Sequence, residues 1–271
     1  MRNDVSILAK NIRLQVLNMI HKAKASHIGS CLSVVDILAV LYGSVLNVRS
    51  SEPQWEDRDR FILSKGHSAA AVYATLALRD FMPISELENY GIDGSILMTH
   101  ISHKISGVEF STGSLGHGLP FATGKAKAAK INKKNWRTFA LLSDGELDEG
   151  SNWEALMFAA HHQLDNLFVI IDYNKLQSLT LVSETLGLEP LANKFEAFGC
   201  TVREIDGHNL AEIEKNLEQA PWISKKPSVL IAHTIKGKGV SFMENKVEWH
   251  YKNPNDDELI QALKEIETYY A

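Results

Sequence analysis

Four short apolar stretches in the second half of the chain constrain its fold more than any other feature. They are RTFALLSD, LFVIIDYN, TVREID and SVLIAHT. A helical segment at about residues 150–162 separates the first two, and another at about residues 210–220 separates the last two. Alternating strands and helices are typical of right-handed βαβ units, which build a parallel sheet covered by helices on both faces. We therefore predict an α/β fold with a parallel sheet flanked by helices.

The first half of the chain predicts several helices and one more strand. Apolar residues at near-helical spacing between Val5 and Lys24 predict an amphipathic helix. Ser33 and Asp36 have the spacing of a capping box, which predicts that a second, more apolar helix begins there. The stretch RFILSKGHSAAAVYATLAL predicts a strand, a turn and a helix of small residues. Poor periodicity predicts loops over residues 81–113, and the stretch GSLGHGLPFATGKAKAAK predicts a glycine-rich entry into another helix.

Composition narrows the class of protein. The chain has 271 residues, of which 45% are hydrophobic and 23% are charged, as is typical of a soluble globular protein. No linker rich in Pro, Gly or Ser and no internal repeat divides the sequence, so we predict a single domain over residues 1–271. The net charge of -5 gives no general attraction to nucleic acid or to anionic lipid.

The chain also lacks the usual signals of export. Cys31 and Cys200 are isolated from each other, which fits a reducing compartment. The amino terminus has no continuous apolar core of the kind found in signal peptides. No apolar stretch approaches the ~20 residues that cross a bilayer. We expect a cytoplasmic protein with no membrane contact.

Polar residues follow two of the predicted strands. Asp144 comes directly after one, and Asn174 lies at the end of the next. Ligands of parallel sheets bind beyond the carboxyl ends of the strands. If the two strands are neighbours, ~4.8 Å apart, both side chains reach one point. Their oxygens suit Mg²⁺ or Ca²⁺, and Gly145 allows a close approach of the backbone to an anion. The pattern predicts a metal-bridged diphosphate site, although an Asp-Gly pair after a strand is also an ordinary turn.

The same region resembles the cofactor motif of thiamine diphosphate enzymes, in which an Asp-Gly turn precedes an Asn by about thirty residues. Here the motif opens Ser143-Asp144-Gly145 instead of Gly-Asp-Gly, and it closes Tyr173-Asn174 instead of Asn-Asn or Asp-Asn. The stretches ASHIGSCLS, RFILSKGHS, GVEFSTGSLGHGL and HTIKGKGVSFMENKVEWH occur in the order seen in transketolases. Over nearly its whole length the chain resembles the amino-terminal, diphosphate-binding half of a transketolase.

The resemblance implies one subunit of a split transketolase with a thiamine diphosphate-binding fold. Its cofactors would be thiamine diphosphate and Mg²⁺, with Ca²⁺ or Mn²⁺ as alternatives. A carboxy-terminal partner subunit would carry the pyrimidine-binding domain and its cofactor-activating glutamate, in an α₂β₂ assembly. The implied reaction transfers a two-carbon ketol unit between sugars or sugar phosphates, and the chain would be inactive alone.

The resemblance also implies roles for particular residues. The metal ligands would be the side chains of Asp144 and Asn174 and the main-chain oxygen of Leu176. The cofactor would be lined by Gly113, Ser114, Leu115, Gly145, Asn174, His67 and His250. The catalytic groups would be His27, His67, His100, His250 and Glu149, with Glu149 meeting the glutamate of the partner subunit. Imidazoles suit this work because they donate and accept protons near neutral pH.

Simpler explanations exist for several of these residues. A lone histidine is more often a surface or packing residue, and Glu149 would also favour a helix start. We expect Glu146 and Asp148 to be solvated or to stabilise that helix start. Lys236 and Lys238 would either meet an anionic substrate or lie in a solvated loop.

The sequence departs from the family at three places near the implied site. Ser114 stands where family members usually have Pro, and His117 stands where they have Gln. The stretch LQSLTLVSET replaces a Ser-Ile-Asp-Gly run, so the sugar pocket is expected to differ. Alternative functions are the α subunit of a 2-oxo acid dehydrogenase, a non-enzymatic cofactor-binding subunit, or a Mg²⁺-dependent phosphatase with Asp144 as nucleophile.

Overall fold

A five-stranded parallel sheet forms the centre of the molecule. The computed structural model describes residues 2–270. The strands are β1 (Arg60–Leu63), β2 (Thr138–Ser143), β3 (Leu167–Tyr173), β4 (Thr201–Asp206) and β5 (Ser228–His233). They lie in the order β1-β2-β3-β5-β4, and every neighbouring pair is parallel. This arrangement confirms the predicted α/β fold and makes the strands before Asp144 and Asn174 direct neighbours.

Helices pack on both sides of the sheet. They are α1 (Arg2–Ala23), α2 (Ile28–Ser33), α3 (Val35–Val40), α4 (Ala69–Leu78), α5 (Gly118–Ile131), α6 (Gly150–His161), α7 (Val182–Thr185), α8 (Leu191–Ala197), α9 (Leu210–Glu218) and α10 (Asp256–Tyr269). Short 3₁₀ helices occupy Gly66–Ser68, Ile84–Asn89, Gly145–Asp148 and Val247–His250, and a π-helical turn occupies Leu41–Val45. Within residues 2–270 no helix is both long enough and apolar enough to span a membrane.

Both faces of the sheet are buried because side chains alternate along each strand. Phe139 and Phe168 face one core together with α1, α3, α4, α9 and α10. Ala140 and Val169, one residue further along each strand, face a second core together with α5, α6 and α8. All residues of β2 and β3 are buried, which explains why these central strands are mostly apolar.

One local prediction is wrong. Ser33 and Asp36 do not form a capping box, since Ser33 ends α2 and no side chain caps α3. The Ser33 hydroxyl donates instead to the main-chain oxygen of Ser30 and to a carboxylate oxygen of Asp172, 2.7 Å away. The Asp36 carboxylate accepts from Arg13 and contacts His208. Both side chains therefore have partners from distant segments, and neither caps α3.

Arg13 and Asp36 link α1 to α3 in the interior. The Arg13 side chain is fully buried, and its two terminal nitrogens donate to the two Asp36 oxygens over 2.9 and 2.7 Å. Burial alone would raise the pKa of Asp36, but the Arg13 guanidinium and His208 lower it below its usual value. The Tyr270 hydroxyl beside Arg13 brings the end of α10 to the same pair.

The Arg13→Met variant is expected to lose about 3–5 kcal/mol of unfolding free energy, because it leaves the buried Asp36 charge without its main partner. Urea denaturation at neutral pH measures this loss. Lys22→Met, which removes an exposed ion pair with Glu88, is the control and should cost less than about 1 kcal/mol. Equal losses in the two variants would contradict a stabilising role for the buried pair.

Candidate functional site

A cavity of about 200 Å³ opens beyond the carboxyl ends of β1, β2 and β3. Ten of the twelve predicted site residues line it: His27, His67, His100, Gly113, Leu115, Asp144, Gly145, Asn174, Leu176 and His250. Ser30, Lys65, Ser143, Gln177 and Ser178 complete the wall. The predicted residues are thus brought together from segments that are far apart in the sequence.

Asp144 lies at the carboxyl end of β2 and is 1% exposed. Its Oδ1 accepts a hydrogen bond from the Gly145 amide over 2.7 Å, and its Oδ2 accepts from the Lys175 amide over 2.6 Å. Burial and the nearby Asp172 charge raise the pKa of Asp144 to about 7. In the part of the chain that is described, no Lys, Arg or His forms an ion pair with this carboxylate, so a divalent cation would offset the cost of burying it.

Asn174 and Leu176 supply the other predicted ligand oxygens. The Asn174 side-chain amide donates to an Asp172 oxygen over 3.0 Å, and this contact fixes which end of the amide is oxygen. Its Oδ1 accepts from the Leu176 amide over 3.1 Å and keeps a further lone pair. The Leu176 main-chain oxygen contacts the Lys236 ammonium at 3.3 Å.

A buried ion pair lies behind the cavity. Lys65 Nζ donates to Asp172, and neither side chain has any solvent exposure. Asp172 also accepts from the hydroxyls of Ser33 and Thr234 and from the Asn174 amide. Burial favours the neutral form of Asp172, but the Lys65 ammonium and these donors hold its pKa below the usual value.

Four histidines surround the same space. The His27 ring centre lies 5.3 Å from that of His67, 5.5 Å from His100 and 5.0 Å from His250. The His27 backbone is in the left-handed region with φ 76°, and its amide donates to the main-chain oxygen of His250. His27 Nδ1 is buried without a hydrogen-bond partner among the described residues. A buried polar atom without a partner calls for an explanation, and a missing ligand or water is one of the usual ones.

The surroundings of the four histidines lower the pKa of each and so favour the neutral imidazole. Burial lowers the pKa of His27 to about 4, and the neighbouring His100 and Lys236 add to the effect. Burial and Lys236 lower the pKa of His250 to about 3. Burial also lowers the pKa of His67 and of His100. Each neutral ring offers one donor nitrogen and one acceptor nitrogen.

The turn after β1 aims His67 at the cavity. Gly66 is required there because a Cβ atom would lie 2.3 Å from the Thr112 main-chain oxygen. The 3₁₀ helix Gly66–Ser68 follows, and the Ser68 hydroxyl donates to the main-chain oxygen of Ser30 over 2.9 Å. The Tyr73 hydroxyl on α4 donates to the main-chain oxygen of His100, which lies on a neighbouring loop. These contacts fix the backbone segments that carry the two imidazoles.

Two predicted residues do not line the cavity. Ser114 lies between two lining residues, but its own side chain is exposed. Glu149 is also exposed and begins α6 as its N-cap without a side-chain capping bond. The interface role of Glu149 therefore depends on a partner chain and stays a prediction.

Two other expectations need correction. Glu146 is not solvated, since it is fully buried and accepts hydrogen bonds from Ser64 and Gly116. Lys236 does not lie in a solvated loop, since it is 1% exposed and its ammonium contacts His250 Nδ1 at 3.1 Å. Burial and the Lys65 charge lower the pKa of Lys236 to about 8. Both side chains find polar partners from distant segments, which no local pattern reveals.

The site also contains Lys65 and Asp172, to which the sequence analysis gave no role. One signal was present: Asp172 is a charged residue inside the apolar run LFVIIDYN. A charge within a fully buried strand must have a partner. Nothing in the sequence identified that partner as Lys65, which lies 107 residues away.

The residues present fit a divalent cation and a diphosphate. Asp144, Asn174 and the Leu176 main chain offer hard oxygen donors, the ligand type that Mg²⁺ prefers. Within residues 2–270, no three His, Cys, Asp or Glu side chains form a metal-binding group, so the site would rely on one carboxylate and on atoms of the anion. The Lys236 ammonium, which contacts the Leu176 main-chain oxygen and His250 Nδ1, adds a positive charge beside these residues that favours an anion.

Comparison with known proteins gives a consistent assignment. The family described as "Transketolase, thiamine diphosphate binding domain" matches residues 5–269. An apulose-4-phosphate transketolase subunit of Phocaeicola vulgatus is 39% identical over 94% of this chain and 90% of its own length. The 6-deoxy-6-sulfo-D-fructose transketolase subunit SqwG of Clostridium sp. is 40% identical over 97% of this chain and 96% of its own length.

Solved structures agree with the sequence relatives. The transketolase of Campylobacter jejuni superposes with a TM-score of 0.92 at 32% identity. The match covers 98% of this chain and 43% of that enzyme, so the chain spans less than half of the full-length transketolase. The chain therefore belongs to the transketolase family, and over nearly its whole length it corresponds to the amino-terminal, thiamine diphosphate-binding subunit of a split transketolase.

Proposed function

We propose that this chain, together with a carboxy-terminal partner subunit, transfers a two-carbon ketol unit from a ketose to an aldose. The cofactors are thiamine diphosphate and Mg²⁺. Asp144, Asn174 and the Leu176 main-chain oxygen hold the metal, and Gly113, Leu115 and Gly145 line the cofactor. Thiamine diphosphate, when bound, supplies the electron sink that stabilises the carbanion left by cleavage of a carbon–carbon bond.

The observation that supports this proposal is that one cavity contains two kinds of groups. Three oxygen donors for a hard cation and four histidines line the same cavity. A phosphatase would need the first group only. Ketol transfer needs both, because hydroxyl groups of two sugars must be bound and protons must move at each of them.

Each histidine can act on hydroxyls without carrying a charge of its own. A neutral imidazole accepts a hydrogen bond from one hydroxyl and donates to another oxygen. His27 lies at the centre of the cluster, with its ring next to those of His67, His100 and His250, so we assign to it the contact with the reacting oxygen. His67 and His250 flank it and bind the diphosphate, and His100 binds a substrate hydroxyl.

The names of the relatives suggest the class of substrate. One relative is named for apulose 4-phosphate and the other for 6-deoxy-6-sulfo-D-fructose, and both sugars carry an anionic group. We infer that the donor here is an anionic ketose. In the proposed α₂β₂ assembly, Glu149 at the start of α6 meets the cofactor-activating glutamate of the partner subunit.

Replacing Asp144 with Asn should separate cofactor binding from fold stability. We expect affinity for thiamine diphosphate in MgCl₂ to fall at least about tenfold, because a charged metal ligand is lost. The cofactor-free variant should remain folded with an unfolding temperature close to that of the wild type. The new NH2 group faces one of the two backbone amide donors, but this cost is offset because a carboxylate that is costly to bury becomes neutral. Calorimetric titration and thermal unfolding measure the two quantities.

Asp206→Asn is the matched control, since Asp206 is an exposed acid at the carboxyl end of the edge strand β4. It should leave the affinity unchanged. Wild-type affinity in Asp144→Asn would exclude Asp144 as the metal ligand.

The chain alone should show no ketol transfer, because the proposed reaction needs the activating glutamate of the partner. Affinity purification of the tagged chain from its native cells, followed by mass spectrometry, should recover a stoichiometric protein with a pyrimidine-binding domain. The reconstituted pair should convert anionic ketoses and an aldose only when thiamine diphosphate and Mg²⁺ are present. Decarboxylation of a 2-oxo acid by the pair, without ketol transfer, would favour the dehydrogenase alternative.

His27→Asn tests the histidine cluster in that reconstituted enzyme. Asn is chosen because it tolerates the left-handed backbone of position 27. We expect kcat to fall by about 10²- to 10⁴-fold, with little change in cofactor affinity, since a group for proton transfer is removed. His161→Asn, at an exposed position on α6, is the control. A kcat equal to that of the control would rule out a role for His27 in the reaction.

A further inference from the structure

Glu146 is a buried carboxylate to which the proposed reaction gives no task. It lies in the 3₁₀ helix directly after Asp144 and has no exposed surface. Its Oε1 accepts from the Ser64 hydroxyl over 2.5 Å and from the Gly116 amide over 2.9 Å. Its Oε2 is 3.4 Å from the Ser143 amide nitrogen. One side chain thus joins the ends of β1 and β2 to the segment 113–118, which we call the glycine turn.

All three partners of Glu146 are donors, which suits an ionised carboxylate because it has acceptor sites only. Among the described residues, no Lys, Arg or His lies within ion-pair distance of it. A buried charge without a cationic partner is costly, and an apolar side chain would avoid that cost. The position of Glu146 therefore requires an explanation other than stabilisation by charge pairing.

Both main-chain polar groups of Gly116 are hydrogen-bonded, so the two peptide units on either side of it are held. Its N–H donates to Glu146, and its main-chain oxygen accepts from the Ser151 hydroxyl over 2.6 Å. Gly116 has φ +82°, and a Cβ atom there would lie 2.6 Å from both Glu149 Cβ and Ser151 Oγ. The turn is therefore fixed by hydrogen bonds at a position that only glycine can occupy.

A second contact of the glycine turn depends on the same carboxylate. At Gly118, where α5 begins, a Cβ atom would lie 2.3 Å from the Ser64 hydroxyl. That hydroxyl donates to Glu146. The carboxylate therefore fixes both the Gly116 peptide and the surface on which Gly118 packs.

The glycine turn forms one wall of the cavity. Gly113 and Leu115 line it, and a Cβ atom at Gly113 would lie 3.5 Å from the His100 ring. A small displacement of a binding wall has a large effect on a positioned ligand. We propose that Glu146 is a positioning residue that holds the glycine turn in place for the cofactor. This inference rests on the proposed function, which assigns Gly113 and Leu115 to thiamine diphosphate.

Two readouts on the full chain test this role. Glu146→Ala should speed hydrogen–deuterium exchange at residues 113–118 by about tenfold or more, because the Gly116 amide loses its acceptor. It should also weaken binding of thiamine diphosphate in MgCl₂ by about 10- to 100-fold, the usual effect of removing a support for a binding group. Glu146→Gln keeps one carbonyl oxygen as an acceptor, but its NH2 group would face one of the donors that the carboxylate now accepts from. The effects of this variant should therefore be intermediate.

Asp59→Ala is the matched control. Asp59 is a buried acid that accepts from the amides of Asn47 and Arg137 just before β1, at the opposite end of the sheet. Its loss should lower the unfolding temperature without changing exchange in the glycine turn or cofactor affinity. This control separates positioning from a general loss of stability.

Unchanged exchange at residues 113–118 in Glu146→Ala would overturn the inference, because Glu146 would not then hold the turn. Faster exchange with an affinity equal to that of Asp59→Ala would also overturn it, since the turn would not matter for the cofactor. If the wild-type chain binds no thiamine diphosphate, with or without its partner, the proposed function fails. The exchange measurement still decides whether Glu146 holds the turn.

Discussion

The buried ion pair of Lys65 and Asp172 is the interaction on which the site depends. Asp172 lies one residue before the end of β3, the central strand, where its charge has no access to water. Such a charge is tolerated only if its oxygens are saturated by donors. The donors come from α2, the end of β1, the segment after β3 and the segment after β5. Satisfying one carboxylate therefore fixes the relative positions of four segments that surround the cavity.

The chemistry of the cavity follows from this arrangement. The Asp172 contact orients the Asn174 amide so that its oxygen is available as a ligand. The same negative charge helps to raise the pKa of Asp144, while Lys65 and Lys236 help to lower the pKa of His27 and of His250. The site holds a carboxylate with a raised pKa near two buried ammonium groups. Such a site is well suited to a metal and an anion bound together. This match supports the proposed cofactor.

Glu146 and Asp172 have similar surroundings. Each is a buried acid at the carboxyl end of the sheet whose oxygens gather donors from separate segments. Asp172 has a lysine as partner, whereas Glu146 is surrounded by neutral donors. The first therefore organises charge at the site, and the second, in our proposal, organises the shape of the glycine turn.

The sequence by itself determined the parallel α/β architecture, because strand and helix periodicities are local properties of the chain. It also placed Asp144 and Asn174 at the carboxyl ends of two successive strands, and the order of its motifs indicated the family. That these two strands are neighbours in the sheet was decided by the tertiary structure. Only the tertiary structure revealed the partners of Glu146, Lys236 and Asp36, and it replaced the expected capping box with long-range contacts. The physical reason is the separation along the chain over which each effect acts. Periodicity depends on a few neighbouring residues, whereas a buried charge is hydrogen-bonded by donors that the fold brings near from any part of the chain. For Glu146 that donor is Ser64, 82 residues away in the chain.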